Sequence, residues 1–355
     1  MKILVISNMY PSVGDPVYGT FVKVFYDNIS RLNGQDDTKL IAVKGRYGKK
    51  VLKYLKFYFA ILWNLTFRRY DLIYVHTITY PVPPIWLISK FRKLPLVFNV
   101  HGSDLLGKGR IVRLFHRMGY KVISSAKAIV SPSHYFVGRI MEYFPEYDTD
   151  KIIVSASGGV DTSMFRPVEN PISDEHFTLG YVSRIDKGKG WEIYLQALKI
   201  LIDKGYDVRG VIAGRGAQTE QMKAMIVQLG LEGAVEYLGG VPREMLAQVY
   251  SKFDLFCNTS YLDESLGLVT IEAMACGVPV VGSDNAGIAE CITDNENGFL
   301  FKVANLDNLV EKVIRFIEYP AEVKNGFRRK ARESARRFET DVVMLKLFEK
   351  LKQIV

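Results

Sequence analysis

The chain is predicted to be an α/β protein made of two doubly wound parallel sheets. Three observations lead there. Short apolar runs alternate with longer stretches of helical spacing from one end of the sequence to the other. The alternation repeats about six times in each half, and strand-then-helix repetition requires parallel pairing with helices on both faces. Finally, 355 residues exceed what one ordinary core accommodates.

The first-half strands are expected at 2–7, 39–43, 71–76, 94–100, 127–133 and 151–156. Those of the second half are expected at 177–183, 207–214, 234–239, 254–258, 278–283 and 298–301. Each is rich in Val, Ile, Leu and Phe without strict alternation, the pattern of strands buried on both faces. Helical spacing recurs between them, as at 190–205 and 305–320, and the tail 323–355 reads as a charged helical pair. Residues 157–176 combine Gly, Pro, Asn and Ser with no period and are taken as the linker. The expected arrangement is two domains facing across a cleft, with ligands at the carboxyl ends of the strands.

Composition narrows the class. The apolar start at Met1 is cut short by Asn8, Tyr10 and Pro11, so it reads as a core strand and not as a signal peptide. No apolar run has the length of a membrane span. Three cysteines without metal-ligand spacing suggest a reducing compartment, hence a cytoplasmic location. Charge is uneven: residues 1–170 hold 24 Lys and Arg against 12 Asp and Glu, whereas residues 171–355 hold 23 against 26. The densest basic segment is 49–69, six basic residues without an acid around an apolar, aromatic middle. It fits a helix lying on an anionic membrane surface, and equally an amphipathic helix packed on a sheet. No nucleic-acid motif accompanies the charge.

Several motifs fail on inspection. Gly102 through Lys108 fit a P-loop pattern, but Gly109 stands where a magnesium-binding Ser or Thr is needed. GRGAQT (214–219) lacks the third glycine of a dinucleotide fingerprint. Asp148–Thr149–Asp150 lies in an acidic loop and reads as a solvated turn. Neither a zinc cluster nor an acyl-hydrolase elbow is present in the sequence.

The residues that remain converge. Glu272 is the sole charge between Leu268 and Gly282, inside an apolar helix. A charge there costs several kcal/mol, on the order of an unpaired interior ion, unless something hydrogen-bonds to it. Either the protein or a ligand must supply that partner. Glu264 precedes the helix start, and Gly267 lets backbone approach whatever sits at its N-terminus. Arg184 and Lys189, in SRIDKGKGW, follow the first strand of the second domain; with the adjacent helix N-terminus they form a diphosphate site needing no metal. A salt bridge of either cation to Asp186 or Glu192 is the competing assignment. Gly19, after the first strand, would bring backbone N–H groups to the same phosphates, or mark only a turn.

ESLGLVTIE (264–272) resembles the E-x7-E signature of glycosyltransferase family 4, the retaining enzymes of GT-B fold. Further motifs fall in that family's order: Arg184, Lys189 and Gly190 as R-x4-K-G, GGVDTSMFRP (158–167), HGSD (101–104), and EAMACGVPVV followed by NAGIAE (285–290). The GGVDTSMFRP segment, the family's interdomain hinge, has Ser157–Gly158 where Pro–Asn is frequent, and a single Gly19 stands where many members have a glycine pair. The resemblance implies domains at 1–160 and 161–338, with the C-terminal helix from about 339 returning to the first, Rossmann-like domain. It implies a nucleotide diphosphate sugar as donor, a saccharide or lipid-linked acceptor, no cofactor and no metal. By residue, it implies that Glu272 takes the ribose hydroxyls and Glu264 a hydroxyl of the transferred sugar. Backbone at Gly267, Leu268 and Val269 would hold the sugar or distal phosphate, and backbone near Gly239 the base. Arg184 and Lys189 would neutralise the leaving diphosphate, and His101 would lie beside the anomeric carbon unless it is structural. Asp104 could instead cap a helix. If only the ribose quenches Glu272, its removal should stabilise the ligand-free fold. An epimerase of related fold, or a non-catalytic nucleotide-sugar-binding subunit, would carry many of the same residues; incubating the donor alone separates them.

Overall fold

In the computed structural model, which describes residues 1–16, 18–107, 109–156, 158–168 and 176–355, the apolar runs become twelve strands. The first sheet holds β1 (Ile3–Tyr10), β2 (Thr38–Lys44), β3 (Leu72–His76), β4 (Leu96–Asn99), β5 (Ala128–Ser131) and β6 (Ile152–Val154) in the order β2-β1-β3-β4-β5-β6, all parallel. The second holds β7 (Phe177–Val182), β8 (Val208–Ala213), β9 (Val235–Gly239), β10 (Leu255–Asn258), β11 (Val280–Ser283) and β12 (Gly298–Phe301) in the order β12-β11-β10-β7-β8-β9, also parallel. Strand order reverses beside β1 in one sheet and beside β7 in the other. The loops after these two strands are therefore the switch points where doubly wound sheets take ligands.

Boundaries shift where local chemistry intervenes. β5 stops at Ser131 because Pro132 offers no N–H to the ladder, and β11 begins only after Pro279. β1 continues past the apolar run to Tyr10, because a register shift after Ser7 lets Tyr10 pair with Lys44.

The chain divides into two compact units, Met1–Gly159 with Asp341–Val355, and Val160–Thr340. In the first unit the pleat separates two cores. Leu4 and Ile6 face one side, with Phe57, Ile61 and Leu65 of the Lys50–Phe67 helix. Ile3 and Val5 face the other, with Phe25 and Ile29 of the Thr20–Asn33 helix and with Met344, Leu347, Phe348 and Leu351 of the Thr340–Gln353 helix. Burying each such side chain contributes about 1.5–3 kcal/mol before chain entropy is counted. In the second unit Leu195, Leu198 and Leu201 of the Trp191–Asp203 helix pack with Leu309, Val313 and Phe316 of the Leu306–Glu318 helix. No helix among the described residues is long and apolar enough to cross a membrane.

Part of the expected linker, Ser157 and residues 169–175, lies outside the described residues, as does Lys108 of the failed P-loop pattern. Asp148 of the D-x-D accepts the Asp150 N–H at 3.0 Å, so it closes its own turn.

Candidate active site

In the second unit the switch-point loop after β7 is fastened to the segment that follows β10. Tyr181 Oη donates to the Lys189 carbonyl at 3.0 Å. Thr259 Oγ1 donates to the Gly190 carbonyl at 2.8 Å, and the Tyr261 N–H to that of Gly188 at 3.0 Å. Gly190 has φ +75°, and a Cβ there would stand 2.0 Å from the Thr259 carbonyl oxygen. Only glycine permits this approach.

The clamp brings Lys189 and Glu264 together across 75 positions of sequence. Lys189 Nζ lies 2.5 Å from Glu264 Oε1, and Ser260 Oγ donates to the same oxygen at 2.7 Å. The pair is largely sheltered, at 13% and 22% side-chain exposure. Part of the NAGIAE segment holds the Glu264 loop from the other side. Asn285 Nδ2 donates to the Leu262 carbonyl at 2.8 Å and the Gly287 N–H to the Glu264 carbonyl at 3.0 Å.

Arg184 does not join this group. It is exposed, and its Nη1 donates to Asp186 Oδ2 at 2.8 Å, the competing assignment raised above. Asp186 also accepts the Ala217 N–H at 2.8 Å, so the acid is held by backbone while the arginine is not.

Gly267, at φ +70°, precedes the Leu268–Ala275 helix. The first turn of any helix leaves N–H groups without intrahelical partners, which places those of Leu268 and Val269 at this end. Gly239 ends β9, and its carbonyl accepts the Gly214 N–H at 2.7 Å.

Glu272 corrects an expectation. The residue is 3% exposed, yet the protein itself supplies partners for its carboxylate. Arg243 Nη2 lies 2.9 Å from Oε1, and Tyr250 Oη donates to Oε2 at 3.2 Å. Burial raises the carboxyl above the ordinary range; the Arg243 charge and the Tyr250 hydroxyl pull the other way. No ligand is needed to quench the charge, so removing Glu272 should not stabilise the ligand-free fold. Sequence reasoning missed Arg243 because it is 29 positions away in a short turn after Pro242 (Arg243–Met245). The Phe165 ring, 5.2 Å from its guanidinium carbon, gives it a second support. Tyr250 was missed because it reads as one more core aromatic, and Ser260 because a lone serine carries no pattern.

In the first unit, His101 follows β4 and lies among aromatic rings. Its Nε2 and His76 Nδ1 share a hydrogen bond of 3.0 Å, and the Phe21 ring centroid is 4.4 Å away. Burial pushes His101 down to about 3. Burial, and then the neighbouring His101, hold His76 well below the usual value. Both rings are neutral at physiological pH, so one N–H donates to the other's lone pair. Asp104 is not an N-cap. It lies inside the Ser103–Leu106 turn and accepts the N–H groups of His101 (2.8 Å) and Ile78 (3.1 Å), fixing the loop that carries the histidine. Gly19 begins the Thr20–Asn33 helix at φ +73°, and a Cβ there would meet the Met9 carbonyl carbon at 2.7 Å. Close packing on the end of β1 thus accounts for this glycine.

Residues 165–338 match the family described as Glycosyl transferases group 1, and residues 19–163 match Glycosyltransferase Family 4. The chain is similar to D-inositol 3-phosphate glycosyltransferase of Segniliparus rotundus, 30% identical over 61% of this chain and 51% of that protein. It is similar to phosphatidyl-myo-inositol mannosyltransferase of Mycolicibacterium smegmatis, 29% identical over 66% of this chain and 63% of that one. The matches thus span between half and two thirds of these relatives' own length. Anabaena HepE, crystallised with UDP, has the same fold at a TM-score of 0.79 and 22% identity, over 99% of this chain and 100% of its own. Sucrose-phosphate synthase of Thermosynechococcus elongatus does so at 0.80 and 18%, over 100% and 99%.

Proposed function

The chain belongs to the glycosyltransferases of group 1 and family 4, with the GT-B fold, and from that premise we propose that it moves a sugar from a nucleotide diphosphate sugar to a hydroxyl of a glycan or lipid-linked acceptor, with retention of anomeric configuration. The observation that carries this reading is the Lys189–Glu264–Ser260 contact at the switch point after β7, beside the helix that bears Glu272. The UDP carried by HepE supports the donor class.

The chemistry follows from charge. The bond from the anomeric carbon to the diphosphate oxygen breaks, the leaving diphosphate keeps the electron pair, and the acceptor oxygen bonds the carbon from the same face. The acceptor's proton passes to the departing phosphate. Negative charge therefore grows on the diphosphate, where Lys189 and the N–H groups of Leu268 and Val269 stabilise it more in the transition state than in the ground state. Arg184, held only at its exposed end by Asp186, swings onto the diphosphate. In this reading the neutralising charges are side chains and no metal takes part. Glu264 orients the transferred sugar. Each oxygen of Glu272 has two lone-pair directions, of which Arg243 and Tyr250 take one apiece, so the ribose hydroxyls use those that remain. Gly239 contributes backbone near the base. His101, being neutral, acts through hydrogen bonding near the reacting carbon and not through charge.

The same reading sets the protein against the inner face of the plasma membrane, as a peripheral cytoplasmic protein. Phe57, Ile61 and Leu65 turn the Lys50–Phe67 helix onto its sheet. Val51, Leu55, Phe59, Trp63 and Phe67, spaced four apart, form an exposed stripe on it. From Thr38 to Met141 the sequence holds 19 Lys and Arg against two acids, Asp71 and Asp104, and Asp104 is buried. An apolar stripe in a basic field suits anionic lipid.

A thermal-shift screen of UDP-, GDP- and ADP-sugars tests the donor assignment, followed by turnover with the best binder. One of them should raise the melting midpoint by several degrees, on the scale of saturating ligand. No shift with any of them at millimolar concentration would remove the donor site from the second unit.

A further inference from the structure

His76 is buried, titratable and unused by the transfer chemistry above. It ends β3, and Thr77 turns the chain away at φ +76°. A positive φ in a β-branched residue persists only where its surroundings impose it. Here the Thr77 N–H donates to the Asn99 carbonyl at 3.0 Å, and its Oγ1 to Asn8 Oδ1 at 2.9 Å. In the register of the sheet His76 stands opposite Asn99. His101 comes two residues later, where the alternation of an extended chain returns a side chain to the same face. The two rings therefore meet edge to edge. Their planes are 16° from parallel and their centroids 5.3 Å apart. That separation matches the 3.0 Å from His76 Nδ1 to His101 Nε2 plus one ring radius at each end. Both nitrogens thus lie on the line of centres, and the hydrogen bond between them is nearly linear.

Counting protons gives the direction of that bond. Both rings are neutral, so each carries one proton. One proton occupies the shared bond, and the ring that owns it determines where the other ring's proton sits. If His101 donated, His76 would hold its own proton on Nε2. That nitrogen is buried and has no hydrogen-bond partner among the described residues. The crevice that His76 lines with Phe21, Phe25, Asn99, Ser155 and Leu347 is too narrow for a water molecule. A buried N–H without an acceptor is rare in folded proteins, rarer than an unused lone pair. If His76 donates instead, its Nε2 keeps only a lone pair, and His101 carries its proton on Nδ1. His101 is partly exposed whereas His76 is not, so a proton on His101 Nδ1 is within reach of a ligand.

We propose that His76 is a positioning residue for sugar transfer: its Nδ1–H donates to His101 Nε2 and fixes His101 in the Nδ1–H form, a hydrogen-bond donor to a substrate oxygen. The tautomer follows from the two rings alone, and its use on substrate rests on the transferase reading. The direction of this donor is set from three sides. The His76 ring holds Nε2, the Phe21 ring packs 4.4 Å away between centroids, and Asp104 holds the His101 backbone N–H at 2.8 Å. The one lone pair in the plane of the His101 ring is occupied by His76. The ring therefore cannot serve as general base for the acceptor hydroxyl, in keeping with passage of that proton to the departing phosphate.

NMR of the whole chain, isotopically labelled at its histidine ring nitrogens, decides the tautomer, with the ring signals assigned through their backbone correlations. His76 and His101 should each show a protonated Nδ1 and a bare Nε2, with a coupling across the hydrogen bond from His76 Nδ1 to His101 Nε2. A protonated Nε2 on either ring would overturn the proposal. Substitution tests the positioning role. His76→Leu removes the donor, and His76→Asn keeps an N–H where the ring had Nδ1–H. The assay is hydrolysis of the nucleotide sugar that most raises the melting midpoint, with water as acceptor. His76→Leu should lower kcat about tenfold, the scale of one hydrogen bond, and leave the Kd of that sugar within about twofold. His76→Asn should recover most of the loss. A kcat for His76→Leu within about twofold of the parent, or an equal loss in both variants, would overturn the positioning role. The parent spectrum reads the tautomer even where a variant fails to fold. Failure of every nucleotide sugar to bind would strike the transferase reading instead, and the spectrum would still decide the tautomer.

Discussion

Replacing Arg243 by Gln should uncover the cost of the Glu272 carboxylate. Breaking a fully buried ion pair from one side costs about 3–5 kcal/mol. Arg243 is 45% exposed, so water replaces part of what is lost and the figure falls to about 2 kcal/mol. For a unit of this size that is roughly 4–8 °C in melting midpoint. The loss should depend on pH, with a definite sign. The folded carboxyl already lies above its unfolded value of 4.5, and removing Arg243 raises it further. A group raised in this way favours the fold most below the unfolded value and loses that contribution as pH rises through the folded one. The deficit of Arg243→Gln should therefore be smaller at pH 5 than at pH 8. In the double variant with Glu272→Gln no buried charge remains, and most of the deficit should vanish. Thermal melts of the four proteins of this cycle at both pH values are the measurement. An equal deficit at pH 5 and pH 8, or no recovery in the double variant, would show that Arg243 does not compensate this charge.

Lys189→Ala should lower transfer about 10²-fold, the scale of one transition-state charge contact; activity within about tenfold of the parent would refute that role. Gly190→Ala places a methyl group into the Thr259 carbonyl in the left-handed region, and should cost more than about 1–3 kcal/mol in a denaturant titration. His101 and His76, both depressed by burial, should make the first unit lose stability as pH falls below about 6.5, because the unfolded rings take up protons first. A stability curve flat from pH 7 to 5 would contradict this. Phe59→Ser with Trp63→Ser should abolish most cosedimentation with anionic vesicles while leaving the melting midpoint within about 2 °C, since both side chains lie on the exposed stripe. Unchanged cosedimentation would remove the helix from the membrane surface.

The strands were legible because their signal is local. Runs such as Gly298–Phe301 need only their own composition to be recognised, and the intervening periodicity implied parallel sheets. Glu272 stood out for the same reason, as a charge in an apolar helix, and Lys189 and Glu264 stood out through the glycines beside them. Chain order alone indicated two domains, a basic first half and a polar constellation after the strand that became β7.

Which groups meet was another matter. Lys189 turned to Glu264 and Arg184 to Asp186, although both cations follow the same strand, because loop closure onto Thr259 and Tyr261 aims one inward and leaves the other in solvent. Arg243 reached Glu272 from a turn that has no periodic relation to it. A hydrogen-bond partner is chosen by distance after packing, and packing joins residues whose separation in sequence carries no information about their separation in space. Composition and spacing therefore determine the elements and their faces; the pairing of charges between them is decided only when the sheets are assembled.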